Sequence, residues 1–430
     1  MKKWLYVLFI TFLAVGLLAA CAPDREEESS SEGSSSEGSS SEDGMPEKPE
    51  KLVIWEDTDK GVGLDPAIES FEEEYGIEVE YEEMDMASTI RERLRLDGPA
   101  GTGPDVLTLP HDQIGQLAIE GLLAPLNVDE SVTGIYTDAS VQAQTYDGQL
   151  YGLPKATETP VFIYNKEHME EAPETFEELF EFSQEFGGDG QYGFLGVWDD
   201  FYHANAVISG FGGYVFNNED GTLNPQDIGL NNEGAIEGAA YIQKWYDEIF
   251  PNGIIGENGG SAKDGLFQDG DAASIQDGPW AFQALNDIGM DYGVAPLPEL
   301  PNGDYPQTFI GVKGWHVSAQ SDHQEWATEL VKWIANEENA KVRYEETNEI
   351  PPVTALIEDP VIADNERASA VAIQSERGVP MPNIPEMSEV WGPMADALQL
   401  IATGESTPED ALNEAVETIN SQIELNHSGN

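Results

Sequence analysis

The sequence predicts an α/β fold with two lobes. Residues 51–55 form a short apolar run, Ile68, Phe71 and Tyr75 recur at helical spacing before Gly76, and residues 77–81 alternate apolar and acidic side chains. Strand, helix and strand within about 30 residues is the βαβ unit of a parallel sheet. Alternating segments of both kinds continue over about 375 residues, which is enough chain for two hydrophobic cores.

Later elements follow the same pattern. Residues 105–109 and 161–164 are apolar runs typical of buried strands. Thr175 and Glu178 have the spacing of a capping box, which predicts a helix with Phe176, Leu179, Phe180 and Phe186 on one face. Thr407 and Pro408 predict the start of a C-terminal helix. Its apolar stripe is Ala411, Leu412, Ala415, Val416, Ile419 and Ile423.

The charge balance excludes several classes of partner. The 430 residues include 82 acidic and 19 basic side chains, a formal net charge of -63. Nucleic-acid binding needs Lys and Arg to replace the counterions of phosphate, so we expect no nucleic-acid partner. The acidic residues are spread along the whole chain, which predicts a halophilic protein whose self-repulsion is screened by concentrated salt. The alternative is an ordinary acidic extracellular protein.

The N-terminus has the pattern of a secretory signal. Lys2 and Lys3 precede the apolar residues 4–20, and Leu18-Ala19-Ala20-Cys21 resembles the lipobox of bacterial lipoproteins. This resemblance implies that residues 1–20 are a cleaved signal peptide and that Cys21 carries a lipid anchor. The alternative is an uncleaved single-span anchor. Removing residues 1–20 removes two lysines and no acid, which changes the net charge from -63 to -65.

A tether follows the anchor. Residues 22–50 are dominated by Ser, Glu and Gly and contain no aromatic residue, so we expect 21–50 to be a disordered, lipid-anchored linker. Such a linker of 29 residues spans roughly 30 Å as a flexible coil. Cys21 is the only cysteine, which excludes an intramolecular disulfide.

Enzyme motifs are absent from the sequence. It contains no phosphate-binding glycine loop, no G-x-S-x-G elbow and no H-E-x-x-H pair. Residues 217–221 lack a ligand at the first position of a calcium-binding loop. Acidic pairs are too frequent in this chain to indicate a glycosidase. We therefore predict a binding protein without a metal or another cofactor.

Several segments resemble one family. They resemble the extracellular solute-binding proteins (family 1) of ABC importers, and within them the maltose/maltodextrin-binding branch, in the family's order from residue 51 to about 425. The stretches are KLVIW (51–55) and DTDKG (57–61), GPDVLTLPHD (103–112), GLLAPL (121–126), YGLPKATETPVFIYNK (151–166), PETFEEL (173–179), GGYVF (212–216), DGPWAF (277–282), YGVAPLP (292–298) and MPNIPEMSEVW (381–391).

The resemblance implies a periplasmic-binding-protein-like fold, in which crossing hinge strands join two lobes around a ligand cleft. The implied N-terminal lobe comprises 51–157 and 312–362, and the C-terminal lobe 160–310 and 364–425. The crossings are expected near Glu158, Val312 and Asp364, and residues 426–430 are a tail. Ligand that contacts both lobes is expected to favour the closed state.

The resemblance also implies the residues that contact a sugar. Carboxylates and lysine reach hydroxyl groups, and aromatic rings stack on the apolar faces of the sugar. The implied polar residues are Asp57, Asp59, Lys60, Asp112, Glu158 and Asp200. The implied apolar residues are Tyr202, Trp280, Met381 and Trp391.

Each assignment has a structural alternative. Lys60 would be a solvated turn residue, Asp112 a helix cap, and Trp280 and Trp391 core residues, with Ser388 the cap of the helix that Trp391 begins. Asp199 replaces Asp200 if the alignment shifts by one residue.

Four positions depart from the family pattern. Leu109 stands where the family has an aromatic residue, Gln113 and Ala395 where it has arginine, and Gly260 where it has tyrosine. These departures leave the number of sugar subsites open. Trp198 or Trp315 is a candidate to replace the missing aromatic surface, although no motif places either residue.

The resemblance implies a membrane-tethered extracellular receptor that binds maltose or maltodextrin and delivers it to the permease subunits of an ABC transporter. We expect a monomer that is held at the membrane by the lipid on Cys21. Alternatives are the same scaffold for cyclodextrin or trehalose, a secreted carbohydrate-active hydrolase, and an adhesion or sensing lipoprotein.

Overall fold

The computed structural model describes residues 45–219, 222–256 and 258–427. The predicted signal peptide, Cys21 and most of the predicted linker lie outside these residues. The predicted boundary of the linker at residue 50 is wrong, because the described chain already packs from Met45 onward. Met45 contacts the hydrophobic core, and the carbonyl of Pro46 accepts a hydrogen bond from Trp326 Nε1 at 3.1 Å. The last residues of the predicted linker, from Met45 onward, thus pack against the folded body.

The strands have the following bounds: β1 Lys51–Glu56, β2 Glu78–Glu83, β3 Val106–Pro110, β4 Leu123–Ala124, β5 Thr145–Tyr146, β6 Gln149–Leu150, β7 Gly152–Glu158, β8 Val161–Asn165, β9 Asn217–Glu219, β10 Thr222–Asn224, β11 Ser274–Asp277, β12 Tyr292–Ala295, β13 Phe309–Ser318 and β14 Val379–Pro380.

The α-helices have the following bounds: α1 Asp65–Tyr75, α2 Arg91–Asp97, α3 Ile114–Ile119, α4 Glu130–Thr133, α5 Asp138–Ala143, α6 Phe176–Phe186, α7 Phe201–Gly210, α8 Glu233–Glu248, α9 Gly259–Gln268, α10 Phe282–Asp287, α11 Gln324–Ile334, α12 Glu337–Thr347, α13 Thr354–Ile357, α14 Pro360–Ala363, α15 Glu366–Arg377, α16 Trp391–Ala402 and α17 Pro408–His427.

Two sheets organise the molecule. The first has the order β14-β13-β3-β1-β2, with β4 and β7 also paired to β13. Strands β1, β2 and β3 are parallel, as the βαβ pattern predicts, whereas β13 runs antiparallel to β3 and β7. The second sheet is antiparallel, with the order β11-β8-β12. We call the parts built on these sheets the first and the second lobe.

The predicted helix signals are confirmed at several ends. Gly76 ends α1 with φ of +67°, a conformation that glycine adopts without strain. The Thr175 hydroxyl accepts from the Glu178 N–H at 3.2 Å at the start of α6. The Thr407 hydroxyl accepts from the Asp410 N–H at 3.1 Å at the start of α17. All six predicted stripe residues of α17 are buried.

Strand β13 contributes to the hydrophobic cores of both lobes. Phe309 packs in the core of the second lobe, and Trp315 and Val317 pack in the core of the first. A comparable change of core falls within α15, between Ala368 and Val371, a few residues after the predicted crossing at 364. Of these two segments, β13 also lines the cavity described next, through Gly311 and Lys313. Among the residues that the structure describes, no helix combines the length and apolar character needed to cross a bilayer.

Candidate functional site

A cavity of about 910 Å³ is lined by both lobes. Turns that follow β1 and β3 line it from the first lobe, and the starts of α7, α10 and α16 line it from the second. The structure brings all ten residues nominated from the sequence to this cavity. They are Asp57, Asp59, Lys60, Asp112, Glu158, Asp200, Tyr202, Trp280, Met381 and Trp391.

The turn after β1 is held by its own carboxylates. Asp57 Oδ1 accepts from the Thr58 N–H at 2.9 Å and from the Met86 N–H at 3.1 Å. Asp59 has φ of +59°, in the left-handed region that aspartate enters more readily than most residues. The turn is thereby fixed with Asp57, Asp59 and Lys60 at the cavity.

Lys60 is not a solvated turn residue. Its side chain is buried, and Nζ donates to Gln283 Oε1 of α10 at 3.2 Å. Burial lowers the pKa of Lys60, and the neighbouring Lys313 acts in the same direction. The bond joins the first lobe directly to the second.

A buried ion-pair chain runs from the cavity into the first lobe. Lys313 Nζ lies 2.8 Å from Glu158 Oε2, 3.6 Å from Asp57 Oδ2 and 3.4 Å from Glu349 Oε1. Glu349 continues to Lys155 at 3.2 Å, and Lys155 to Glu56 at 2.6 Å. Glu56 and Glu349 are almost fully enclosed, so each of these two carboxylates depends on a lysine for compensation, whereas Asp57 and Glu158 keep some exposure at the cavity.

The pKa directions match this arrangement. Burial alone would lower the pKa of Lys313, but Glu158, Glu349 and Asp57 raise it well above its usual value. Burial raises the pKa of Glu158, although Lys313 opposes the shift. Lys313 is therefore a permanent cation at the cavity wall. Sequence reasoning missed it, although a lysine inside the apolar strand β13 was a signal that it has buried partners.

Three aromatic side chains line the second-lobe side. Trp280 lies in the turn Pro279–Ala281, and Trp391 is the first residue of α16. The Tyr202 ring lies 6.0 Å from the Trp280 ring, measured between centroids. Both tryptophans are half-buried. The core alternative holds in part for Trp391, because its ring packs against the second-lobe core, 5.8 Å from the Phe201 ring between centroids. Ser388 does not cap α16, because its hydroxyl donates to the Pro385 carbonyl at 2.7 Å.

Asp112 places an unpaired acceptor at the cavity. Its Oδ1 is buried without a hydrogen-bond partner, and the residue is 9% exposed. Burial raises the pKa of Asp112 to about 6, while Arg91 and the Trp391 side chain oppose the shift. The alternative role as a helix cap is wrong, because α3 begins at Ile114 without a side-chain cap. The hydroxyl of Tyr202 is likewise buried and unpartnered.

The residue before Asp112, His111, is held on both sides of its ring by backbone hydrogen bonds. Its Nδ1 accepts from the Val312 N–H at 3.1 Å, so the ring proton lies on Nε2, which donates to the Met381 carbonyl at 2.8 Å. Burial lowers the pKa of His111 to about 4. The neutral ring therefore ties β13 to the segment that carries Met381.

The choice between Asp199 and Asp200 is settled by their partners. Asp200 lines the cavity and accepts from the Tyr202 N–H at 2.8 Å at the start of α7. Asp199 accepts from the Gly256 N–H and from the Tyr246 hydroxyl, away from the cavity. Asp200 is thus the carboxylate available to a ligand.

The departures from the family pattern have different consequences. Leu109 is buried, and Gly260 has open space where a side chain would begin, since nothing lies within 4 Å of a Cβ placed there. Trp198 and Trp315 do not replace missing aromatics, because both are fully buried in the cores. Gln113 lines the cavity, and Arg91 brings a guanidinium group there from α2. Arg91 carried no sequence signal, since α2 has three arginines at alternate positions.

Metal binding finds no support in the described part of the chain. Within residues 45–219, 222–256 and 258–427 there is no group of three or more His, Cys, Asp or Glu side chains arranged to hold a metal ion. The cavity is suited to a neutral polyhydroxylated ligand, because it combines aromatic faces with unpaired acceptors.

Comparisons with known proteins agree with that chemistry. Residues 66–370 match the family model described as bacterial extracellular solute-binding protein. The chain is 49% identical over 427 residues to the galactooligosaccharide-binding protein of Bacillus subtilis (strain 168), covering 98% of each chain. It is 38% identical to the maltodextrin-binding protein MdxE of the same strain, again covering 98% of each.

Solved structures show the same similarity. A cyclo/maltodextrin-binding protein complexed with maltotetraose is 41% identical, with a TM-score of 0.75 over 88% of this chain and 98% of that one. MalX from Streptococcus pneumoniae in complex with maltopentaose is 32% identical, with a TM-score of 0.81 over 86% of this chain and 100% of that one.

Proposed function

Because this chain belongs to the bacterial extracellular solute-binding proteins, we propose that it captures maltodextrin outside the cell and delivers it to an ABC sugar permease. The cavity holds the sugar, and Asp57, Asp59, Lys60, Asp112, Glu158, Asp200, Tyr202, Trp280, Met381 and Trp391 contact it. We propose that the chain passes the sugar on without a covalent change, as the binding proteins that it is similar to are named for binding.

One observation supports this function most strongly. The aromatic rings of Tyr202, Trp280 and Trp391 line the same cavity as the buried, unpaired Oδ1 of Asp112. A buried acceptor without a partner costs about 1–3 kcal/mol, which a ligand hydroxyl recovers by donating to it. Aromatic rings cover the C–H faces of the same sugar.

Ligand closes the cavity by contacting both lobes. Asp57, Lys60 and Asp112 belong to the first lobe, and Tyr202, Trp280 and Trp391 belong to the second. A sugar that touches both sets stabilises the closed state by its differential affinity for it. We propose the chain crossings near residues 158, 312 and 364 as the hinge.

Two of the cavity carboxylates are occupied by an ion pair. A glycosidase needs one carboxylic acid and one carboxylate free to reach the scissile bond. Glu158 and Asp57 share the cation of Lys313, so a hydrolase would have to use other carboxylates at the cavity, such as Asp112 and Asp200, instead. The hydrolase alternative predicts shorter sugars in the medium when the protein is incubated with maltodextrin.

A second ligand class follows from the relative with 49% identity, whose name states that it binds galactooligosaccharide. The cavity of this chain would then accept galactosyl units. Aromatic stacking alone does not distinguish maltodextrin from galactooligosaccharide, so binding of both sugars must be measured.

The test is calorimetric titration and thermal unfolding in molar salt, with maltose, maltotriose, maltotetraose, a cyclodextrin, trehalose and galactooligosaccharides. A ligand at one hundred times its dissociation constant adds about 2.7 kcal/mol of stability. We expect the largest shift with linear maltodextrin. A larger shift with galactooligosaccharide than with maltodextrin would make galactooligosaccharide the ligand. If no sugar shifts the unfolding midpoint, the proposed function is wrong.

We also propose how the receptor is held at the cell. The lipid on Cys21 anchors a monomer to the membrane, and the segment before Met45 gives the folded body reach toward the permease. The signal peptide 1–20 directs export, and salt-rich surroundings screen the acidic surface.

A further inference from the structure

A buried lysine lies behind the cavity, in the second lobe. Lys263, on α9, is 3% exposed and does not line the cavity. Its Nζ forms an ion pair with Asp277 Oδ2, lies 3.2 Å from Asp264 Oδ1 and donates to the Gln276 carbonyl at 3.3 Å. The lysine thereby holds the last two residues of β11.

The end of β11 leads directly to Trp280. Asp277 Oδ1 accepts from the Gly278 N–H at 2.7 Å, which fixes the backbone at the start of the turn that carries Trp280. A Cβ on Gly278 would overlap the six-membered ring of Trp280, so this ring lies against the Gly278 backbone. The position of the ring therefore depends on the orientation of the Asp277 carboxylate.

The same strand end also fixes α7. Gln276 Nε2 donates to the His203 carbonyl at 3.1 Å, and Gln276 Oε1 accepts from Trp198 Nε1. His203 follows Tyr202 and, like it, lines the cavity. The Lys263 ammonium group is thus connected, through Asp277, to the turn that carries Trp280. Through Gln276 it is connected to the helix that carries Tyr202.

The ion pair remains charged despite its burial. Burial alone would lower the pKa of Lys263, but Asp277 and Asp264 raise it above its usual value. Burial alone would raise the pKa of Asp277, but Lys263 lowers it. A buried pair of this kind restricts geometry even where it adds little net stability.

We propose that Lys263 is a positioning residue that sets the affinity for sugar without touching it, by holding Asp277 and Gln276 and, through them, Trp280 and Tyr202. This inference rests on the proposed function for its affinity readout. It has a second, ligand-free readout in the environment of the Trp280 ring.

The experiment compares the parent with Lys263→Met and the milder Asp277→Asn, in which the amide oxygen still accepts from Gly278. We expect at least tenfold weaker maltotetraose binding in Lys263→Met and a smaller loss in Asp277→Asn. Fluorescence of Trp280, obtained as the difference from Trp280→Phe in each background, should change without ligand. Both effects should persist in 2 M KCl, because salt does not screen a buried pair.

Two controls separate positioning from simple loss of stability. Leu179→Ala removes a buried side chain from α6 of the same lobe and should lower the unfolding midpoint without changing Trp280 fluorescence or affinity. Asp264→Asn removes the half-exposed partner of Lys263 and should bind like the parent.

The outcomes are distinguishable. Parent-like affinity and parent-like Trp280 fluorescence in Lys263→Met overturn the positioning role, whatever its unfolding midpoint. If the parent binds no oligosaccharide, the proposed function fails, and the ligand-free fluorescence of Trp280 still decides the role of Lys263.

Discussion

At the scale of single residues, the half-buried Trp280 and Trp391 should separate binding from folding. We expect Trp280→Ala and Trp391→Ala each to weaken maltodextrin binding by at least tenfold, about 1.4 kcal/mol. The sugar-free unfolding midpoint should shift by only a few degrees in Trp280→Ala, and by more in Trp391→Ala, because the Trp391 ring also packs against the buried Phe201 and Phe309. Calorimetry and thermal unfolding in high salt measure both quantities.

Trp55 is the matched control for those variants. It is 1% exposed in the first-lobe core, with the Arg93 guanidinium 4.6 Å from its ring centroid. Truncating a core tryptophan costs about 3–5 kcal/mol of folding free energy. Trp55→Ala should therefore unfold easily or fail to express. Unchanged affinity in both cavity variants contradicts the stacking role.

Asp112 predicts that binding weakens as the pH falls through about 6. Burial raises the pKa of this carboxyl from 3.8 to about 6 in the sugar-free protein, so its contribution to stability is lost as the pH rises through that value. A sugar hydroxyl that donates to Oδ1 favours the ionised form. Binding should therefore be tighter above pH 6 and should release protons near it.

Calorimetry between pH 5 and 7.5, in buffers of different ionisation enthalpy, measures the proton release. Asp112→Asn isolates this group from Glu158, whose pKa is also raised by burial. The variant should bind more weakly and lose most of the pH dependence. If Asp112→Asn keeps the pH dependence of binding that the parent shows, a group other than Asp112 causes it.

At the scale of elements, His111 joins β13 to the segment after β14, and this junction should be sensitive to acid. The pKa of His111 is lowered from 6.5 to about 4, so its stabilisation is complete above pH 6.5 and is lost as the pH falls toward 4. His111→Gln should cost about 2–3 kcal/mol at pH 7 and much less at pH 4.5.

Denaturant unfolding at the two pH values measures the difference. His323→Gln, at the start of α11, controls for the loss of a histidine outside the junction. If His111→Gln lowers the free energy of unfolding equally at both pH values, protonation does not break the hydrogen bonds of His111 with Val312 and Met381.

The elements that local sequence determines were predictable, and those that depend on distant partners were not. The capping residues Thr175 and Thr407 act within one helical turn, so their pattern was sufficient. Lys313 and Lys263 were missed because burial of a lysine depends on partners from other elements, such as Glu349 on a distant turn. The cavity residues came from a family resemblance, and the structure supplied their partners and burial.

At the scale of the whole molecule, about a third of the basic residues of the described chain are buried. Lys2, Lys3 and Arg25 precede residue 45, which leaves sixteen of the nineteen basic residues in the described chain. Five of these, namely Lys60, Lys155, Lys263, Lys313 and Arg343, are at most 3% exposed. Five acidic residues are buried as well, namely Glu56, Asp112, Asp199, Asp277 and Glu349, so the surface keeps the large negative net charge.

The proposed lipid anchor on Cys21 predicts where the protein is found when the cysteine is replaced. Cys21→Ser removes the sulfur that a lipid would occupy, so the protein should accumulate as unprocessed precursor or be released into the medium. Fractionation of cells and metabolic labelling with a fatty acid measure this. A variant that is cleaved and retained at the membrane like the parent contradicts the lipid anchor.

The acidic surface predicts that salt stabilises the fold. At 0.1 M salt the Debye length is about 10 Å, so neighbouring carboxylates repel, and at 1 M it falls to about 3 Å. The unfolding midpoint should rise substantially from 0.1 to 2 M KCl. Glu414, Glu417 and Glu424 lie exposed on α17, and replacing all three by Gln should raise the low-salt midpoint and reduce the salt slope. Salting-out of apolar surface would give parent and variant the same slope, and a flat slope in the parent contradicts adaptation to salt.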